Sequence, residues 1–281
     1  MLFRLSALLL LAGAVFSSAD VYFEEEIVNP GFGQKKAGAR QTTNKVYIKG
    51  ARQKVETQIQ TSKETAQALK KQGQALLSST ILRLDRAEVY QIDLEAQTFV
   101  QRKMPPPAPK AAGKKVAASP SNPQVGFAFK ETGDSTRIAG IPCKRVVAQM
   151  RARYQDPKSG KPLRENRYTY DAWIARNFPG YQEIRAFRTM QDTSTSYPSL
   201  ISGGLEQMKE AVQEDYAELA TRLEELEGFP LRSTLTASVL RADTQKETEV
   251  FRLERQIKVL IYSSLPDSVF VLPKTLTKVT Q

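Results

Sequence analysis

Residues 44–59 read NKVYIKGARQKVETQI, and their alternation decides the fold class. Val46 and Ile48 stand before Gly50, and Val55 and Ile59 stand after it at even spacing. Apolar residues at period two share one face of a strand, and a glycine between two such runs marks a hairpin. The pattern extends outward in both directions. VYFEEEIV (21–28) precedes it, and TILRLDRAEVYQIDLEAQTFVQRK (80–103) follows, broken at Asp85-Arg86 and Glu95-Ala96. Residues 63–79 between them have the composition of a short helix, weakened by Gly73. Beyond residue 124 come VGFAFKETGDSTRIAGIPCKRVVAQMRARY (125–154), ENRYTYDAWIARN (165–177) and QEIRAFRTM (182–190), all extended in pattern. FPLRSTLTASVL (229–240), ETEVFRLERQIKVLIYSSL (247–265) and DSVFVLPKTLTKV (267–279) complete the series. Phe251, Leu253, Ile257, Val259 and Ile261 alternate along one long strand, with Arg255 an exception on that face. The sum is about ten strands in short hairpin steps, a mainly β chain whose sheet must curve or be covered to hide its apolar face.

Two segments break the β pattern. Residues 104–124, MPPPAPKAAGKKVAASPSNPQ, show no alternation and read as a solvated Pro/Ala/Lys-rich flexible loop, with Lys110, Lys114 and Lys115 free of acidic neighbours. From about 200 to 227, Ile201, Leu205, Met208, Val212, Tyr216, Leu219, Leu223 and Leu226 recur at steps of three and four. That spacing predicts one long amphipathic helix, stopped by Gly228 and Pro230. The segment carries eight acids against two bases, whereas the whole chain has 41 Lys+Arg against 30 Asp+Glu. An acidic helix on a basic body is a physical pairing, and it points to docking on the sheet.

The N-terminus sets the compartment. MLFRLSALLLLAGAVFSSAD has Arg4, an apolar run from Leu5 to Phe16, then Ser17-Ser18-Ala19. This is the order of a secretory signal peptide cut after Ala19, so residues 1–19 are expected to be removed and 20–281 to form one domain. The apolar run is too short to span a bilayer, which takes about 20 residues. No cysteine lies near the cut, so the expectation is a soluble exported protein, periplasmic in a bacterium.

Composition excludes much chemistry. The chain has no histidine and one cysteine, Cys143, so it has no Ser-His-Asp triad, no Cys-His pair and no internal disulfide. Zinc would have to be held by carboxylates or a single thiolate, and the Gly-rich NPGFGQKKAGAR (29–40) lacks the GxxxxGK[ST] phosphate cradle. Neither catalysis nor a cofactor or metal is expected. The Glu24-Glu25-Glu26 run reads as a solvated strand end. Cys143, before Lys144-Arg145, reads either as a reactive thiolate or as a small buried residue, and the buried reading is favoured for an oxidising compartment.

Several segments also resemble a known family. The signal peptide, VYFEEEI (21–27), VYIKGARQKVET (46–57), GIPCKR (140–145), DAWIARNFPG (171–180), GFPLRST (228–234) and LPDSVFVLPKTLTKV (265–279) look like exported bacterial proteins of a domain-of-unknown-function family with a lipoprotein-carrier (LolA/LolB-like) fold. The resemblance covers most of residues 20–281 outside the Pro/Lys segment. It implies a strongly curved antiparallel sheet, an incomplete barrel, with its concave face covered by helix. Among better-known relatives it implies binding of acyl chains or lipidated proteins. On that reading the candidate ligand-binding residues are the sole tryptophan, Trp173, together with Ile201, Leu205, Met208, Val212, Tyr216, Leu219 and Leu223. The same residues would also serve as permanent core or, for the helix, as a dimer seam. The expected function is a non-enzymatic carrier of a lipid, acyl chain or lipoprotein. A structural or assembly protein of the envelope with a self-filled core is the alternative, and a polyanion binder is a further one. An anionic membrane surface or envelope polymer is a candidate partner given the basic charge, specific nucleic acid is not, and the sequence sets no oligomeric state.

Overall fold

The computed structural model describes residues 20–31, 38–107, 123–197, 199 and 215–280. Its strands are β1 (Val21–Asn29), β2 (Arg40–Lys49), β3 (Arg52–Thr61), β4 (Leu77–Arg83), β5 (Glu88–Asp93), β6 (Thr98–Lys103), β7 (Gln124–Ile138), β8 (Ile141–Gln155), β9 (Pro162–Ala175), β10 (Phe229–Arg241), β11 (Glu247–Tyr262) and β12 (Thr277–Lys278). The helices are α1 (Lys63–Lys71), α2 (Tyr181–Ser194) and α3 (Tyr216–Glu224). All strands join one curved, unclosed sheet in the order β12-β6-β5-β4-β3-β2-β1-β11-β10-β9-β8-β7. It is two antiparallel meanders, β1–β6 and β7–β11, joined where β1 pairs with β11. The chain is mainly β, as its alternation requires.

The hairpin at Gly50 forms with the expected inward set: Val46, Ile48, Val55 and Ile59 are buried. The breaks at Asp85-Arg86 and Glu95-Ala96 are a 3-10 turn and a four-residue turn between paired strands. Inward residues from both meanders form one large apolar cluster around Phe23, Val46, Ile48, Phe187, Phe229 and Ile257. A second surrounds Ile27, Met150, Tyr168, Leu235, Phe251 and Leu253.

Four expectations are corrected. QEIRAFRTM is not extended but lies in α2, because Ile184, Phe187 and Gln191 fall at helical spacing and all three are buried. The first helix ends at Lys71, where Gln72 and the left-handed Gly73 close it, and residues 77–79 belong to β4. Glu25 is not solvated: it is 1 % exposed, since alternation turns Glu24 and Glu26 outward and Glu25 in. The end segment is strand only at Thr277–Lys278, and Asp267–Phe270 is a 3-10 turn. That turn is a latch. Asp20 accepts from the Leu265 amide, Lys49 donates to the Leu265 carbonyl and pairs with Asp267, and Arg52 holds Asp267 while stacking over the buried Phe270 ring.

The long strand near the C-terminus also changes face. Glu24 pairs with Val259 and Glu25 with Ile257, so Lys258 is an extra residue. A bulge of this kind shifts the alternation: Leu260 and Tyr262 pack on the core, and Ile261 is exposed. Of the segment read as one helix at 200–227, residues 200–214 lie outside the described residues, and in the rest the helix is α3 alone, which ends at Glu224 with Leu226 beyond it. The 14-residue α2 is the longest described helix and packs Ile184 and Phe187 on the core. Within the Pro/Ala/Lys segment, Met104 is buried, and the Pro105 carbonyl accepts bonds from Thr195 and Ser196 just past α2.

The entry to α2 turns on Gly180, whose φ is +82°. A Cβ there would meet Val21 Cγ2 at 2.7 Å and the Tyr262 ring at 2.8 Å. Gly160, φ +67°, faces open space. Gly180→Ala should therefore cost about 2–4 kcal/mol, combining left-handed strain with overpacking, whereas Gly160→Ala should cost about 1 kcal/mol. Urea unfolding of the two variants measures the difference.

Candidate functional site

The inner face of the sheet is divided by a buried polar belt. Glu25, between Phe23 and Ile27, accepts from Arg255 Nε at 2.7 Å. Arg255 lies between Leu253 and Ile257 and is 3 % exposed. Asn44 donates to the other Glu25 oxygen at 2.8 Å, Thr57 donates to Asn44, and Arg255 Nη1 donates to the Pro230 carbonyl. The Arg255 guanidinium stands 5.3 Å from the Phe229 ring centroid, and Arg188 of α2 stands 5.6 Å from the same centroid. Burial, with the Arg255 cation beside it, lowers the Arg188 pKa. Arg255 is the expected exception in the β11 alternation, and Glu25 is its reason.

Past the belt, α3 covers the second cluster. Asp215, at its N-terminus, is buried and its carboxylate accepts three hydrogen bonds: from Tyr154 Oη at 2.6 Å, Tyr168 Oη at 2.5 Å and Asn166 Nδ2 at 2.8 Å. All three donors come from β8 and β9, so the helix is tied to the sheet at the residue just before its first turn. Burial first, and the bond to Asp215 second, push the Tyr168 hydroxyl well above the usual phenol range, which keeps it a donor. Leu219 is buried in the second cluster with Leu223 against it, and Leu226 packs on Val146, Ala172 and Ile174.

Beyond α3 the inner residues of β8 to β10 are mostly buried, and exposure of large apolar side chains on this face is confined to the edge strand β7. Residues directly opposite in a ladder share a face, which gives four successive rows. Phe129, Ala148, Tyr170 and Leu235 form one, and Phe127, Met150, Tyr168 and Ala237 the next. Val125, Ala152, Asn166 and Val239 form the third, and Tyr154, Arg164 and Arg241 the last. Arg222 of α3 lies over the Phe127 ring, 5.8 Å from its centroid. Its neighbours in β7 are uncovered: Phe129 is 64 % exposed and Val125 41 %. β7 ends the sheet among the described residues, so an apolar strip lies along an open edge. At the last row a groove of about 490 Å³ is lined by Tyr154, Pro157, Leu163, Arg164, Val239 and Arg241.

The sequence-derived candidates are distributed as follows. Leu219 and Leu223 meet on the second cluster, while Trp173 packs against the first, with Arg232 5.4 Å from its ring centroid. Ile201, Leu205, Met208 and Val212 lie outside the described residues, and Tyr216 opens α3. The strip was missed, although Val125, Phe127 and Phe129 stand at period two in the quoted stretch. The groove leaves no mark in the sequence, because Arg164 and Arg241 meet only through strand pairing. Cys143 is 2 % exposed within the first cluster; its Sγ contacts the Ile141 carbonyl, and burial raises its pKa. Among the described residues no three His, Cys, Asp or Glu side chains gather to hold a metal, and no helix is long and apolar enough to cross a membrane. Compared with known proteins, the sequence matches no protein-family model and no curated protein.

Two measurements check this interior. Glu25→Ala leaves Arg255 buried without its carboxylate and should cost about 3–5 kcal/mol, whereas the double change Glu25→Leu/Arg255→Met should be far milder. Urea unfolding compares them. The Cys143 thiol should react with a disulfide reagent at least about 100-fold more slowly in the native protein than in urea, because its exposure requires opening of the core.

Proposed function

We propose that this chain is an exported, periplasmic, non-enzymatic binding or carrier protein for a hydrophobic or amphiphilic ligand: a lipid, an acyl chain or a lipidated protein. The ligand lies on the inner face of an incomplete barrel of the lipoprotein-carrier type, between the sheet and α3. The observation that carries the reading is the strip of Val125, Phe127 and Phe129. It continues the inward face of the core, lies beside a helix that covers only its middle, and leaves large apolar surface in water. Exposed apolar surface that is contiguous with a core and bordered by cations suits an amphiphile. α3 buries Leu219 on the same cluster, so its displacement would exchange one apolar contact for another.

One observation favours a second reading. Elsewhere the inner face is filled by its own side chains, with Phe23, Phe187 and Phe229 fully buried, as in an envelope structural or assembly protein. A polyanion-binding role has less support, because the outer arginines Arg145, Arg153 and Arg167 are each paired with carboxylates.

A fluorescent fatty acid titrated into the purified protein should bind, and Val125→Glu/Phe129→Glu should weaken binding about tenfold or more, at the scale of one or two large apolar contacts. Both side chains are exposed, so circular dichroism and urea stability should be unchanged. No uptake of fatty acid or phospholipid, with a clean ligand-free mass for protein taken from a bacterial periplasm, would favour the self-filled structural role instead.

A further inference from the structure

The two edges of the sheet are unlike. At one, Thr277 and Lys278 of β12 pair with β6, and the Thr277 and Val279 amides donate to the Gln97 and Phe99 carbonyls. At the other, β7 ends the sheet among the described residues, so one side of its backbone faces no strand. From Gln124 to Phe129 this edge is uncharged and regular against β8. It stops at Lys130 and Glu131, after which the pairing with β8 is irregular. Val125 and Phe129 are exposed on its inner face, with the half-buried Phe127 between them. A flat, apolar, uncharged edge is a template for another strand.

The sequence narrows which strand fits. Of the internal stretches outside the described residues, 108–122 contains Pro109, Pro120 and one large apolar residue, Val116. Proline cannot donate to a ladder. Residues 32–37 hold two lysines and one large apolar residue, and the apolar residues of 200–214 recur at steps of three and four, not two. A second β7 does fit. In an antiparallel pair about a twofold axis at Phe127, Val125 of one copy faces Phe129 of the other, and Phe127 faces Phe127, all on the inner face. Moving the axis to Gly126 sets Phe129 against Pro123, and moving it to Ala128 sets Val125 against Glu131. Only the Phe127 axis matches all three apolar residues, in the aromatic and β-branched pairs that stabilise sheets.

Charge agrees with that register. Gln124 would face Lys130 and Pro123 would face Glu131, so like charges do not meet. Glu131 is already held by Arg176 at 2.8 Å and Asp134 by Arg145 at 3.2 Å. Arg222, over the Phe127 ring, is paired with Glu218 and Glu225. We infer that two copies of this chain pair antiparallel along β7 about Phe127, joining two sheets into one and doubling the apolar strip. Both copies use the same edge, so the assembly closes at two. The dimer is independent of what the strip binds. A ladder from Gln124 to Lys130 is short, and small interfaces are weak, so half-dissociation is expected at roughly 1–100 µM.

Sedimentation equilibrium of the mature protein across that range should show monomer and dimer. Val125→Lys/Phe129→Lys sets lysine against lysine at both ends and should weaken the dimer about tenfold or more, whereas Val125→Lys/Phe129→Glu sets lysine against glutamate and should restore it. Both positions are exposed, and circular dichroism checks the fold of each variant. Under mild oxidation Phe127→Cys should cross-link to its own copy, because facing Cα atoms lie about 4.5–5.5 Å apart, within disulfide reach. Val125→Cys alone should not, being four residues from its copy along the strand, roughly 13 Å, but it should cross-link to Phe129→Cys in a mixture. Cys143 is buried and does not compete. A monomer throughout, a dimer indifferent to the two lysines, or Val125→Cys cross-linking to itself as fast as Phe127→Cys would each overturn the dimer and leave the strip to a ligand.

Discussion

The structure depends on the junction of β1 with β11, and at its centre on the ion pair of Glu25 and Arg255. Every other long strand pairs with a neighbour in sequence, so each meander forms from local hairpins. Among the strand ladders only this junction brings together residues as far apart as Glu25 and Arg255, 230 positions. A buried pair contributes little net stability, because desolvation offsets its attraction. What it supplies is register. A one-residue slip of β1 would turn Glu25 to solvent, strand Arg255 among Leu253, Ile257 and Phe229, and send Phe23 and Ile27 outward. The Asn44–Thr57 extension carries the same constraint into β2 and β3. Joining the meanders requires closing the longest loop in the fold, so this contact is the costly one kinetically as well.

From that junction the inner face divides into two unlike halves. On the first cluster, α2 packs Ile184 and Phe187, and Glu183 reaches the Gly50 amide at the tip of the first hairpin. That half is closed. On the second cluster the nine-residue α3 rests on Leu219, Leu223 and the Asp215 clamp. The exposed strip of β7 lies on the α3 side. On the carrier reading, the two halves divide the work of holding the fold and admitting a ligand.

The sequence shows this partition in part. Alternation about Gly50 gives the hairpin and its four inward residues, because period two and a turn glycine are local signals. Local signals also mislead. The β-like reading of QEIRAFRTM misses α2, since of its four buried positions only Ile184 and Phe187 are apolar and the others are Glu183 and Gln191. The three consecutive glutamates look solvated because the partner that buries the middle one lies at the far end of the chain. Arg255 stands out as an anomaly in its strand, and a buried arginine calls for a carboxylate, but nothing in the composition says which. The bulge at Lys258 and the opposition of Arg164 to Arg241 arise from pairing register, which no single strand encodes.

The open strip is not an ordinary edge. Exposed edge strands are generally blunted by charges, irregular pairing or glycines that keep other strands away. β7 does this over its second half: Lys130, Glu131 and Asp134 are exposed, and its pairing with β8 shifts register between Glu131 and Ser135. Its first half, Gln124 to Phe129, has no charge, pairs regularly with β8 and carries the three large apolar side chains. Protection is therefore present in the strand and withheld from the residues that need it most. Edge geometry alone would have placed the charges where Val125 and Phe129 stand. On the carrier reading, this stretch stays apolar because its occupant, and not a charge, is what covers it.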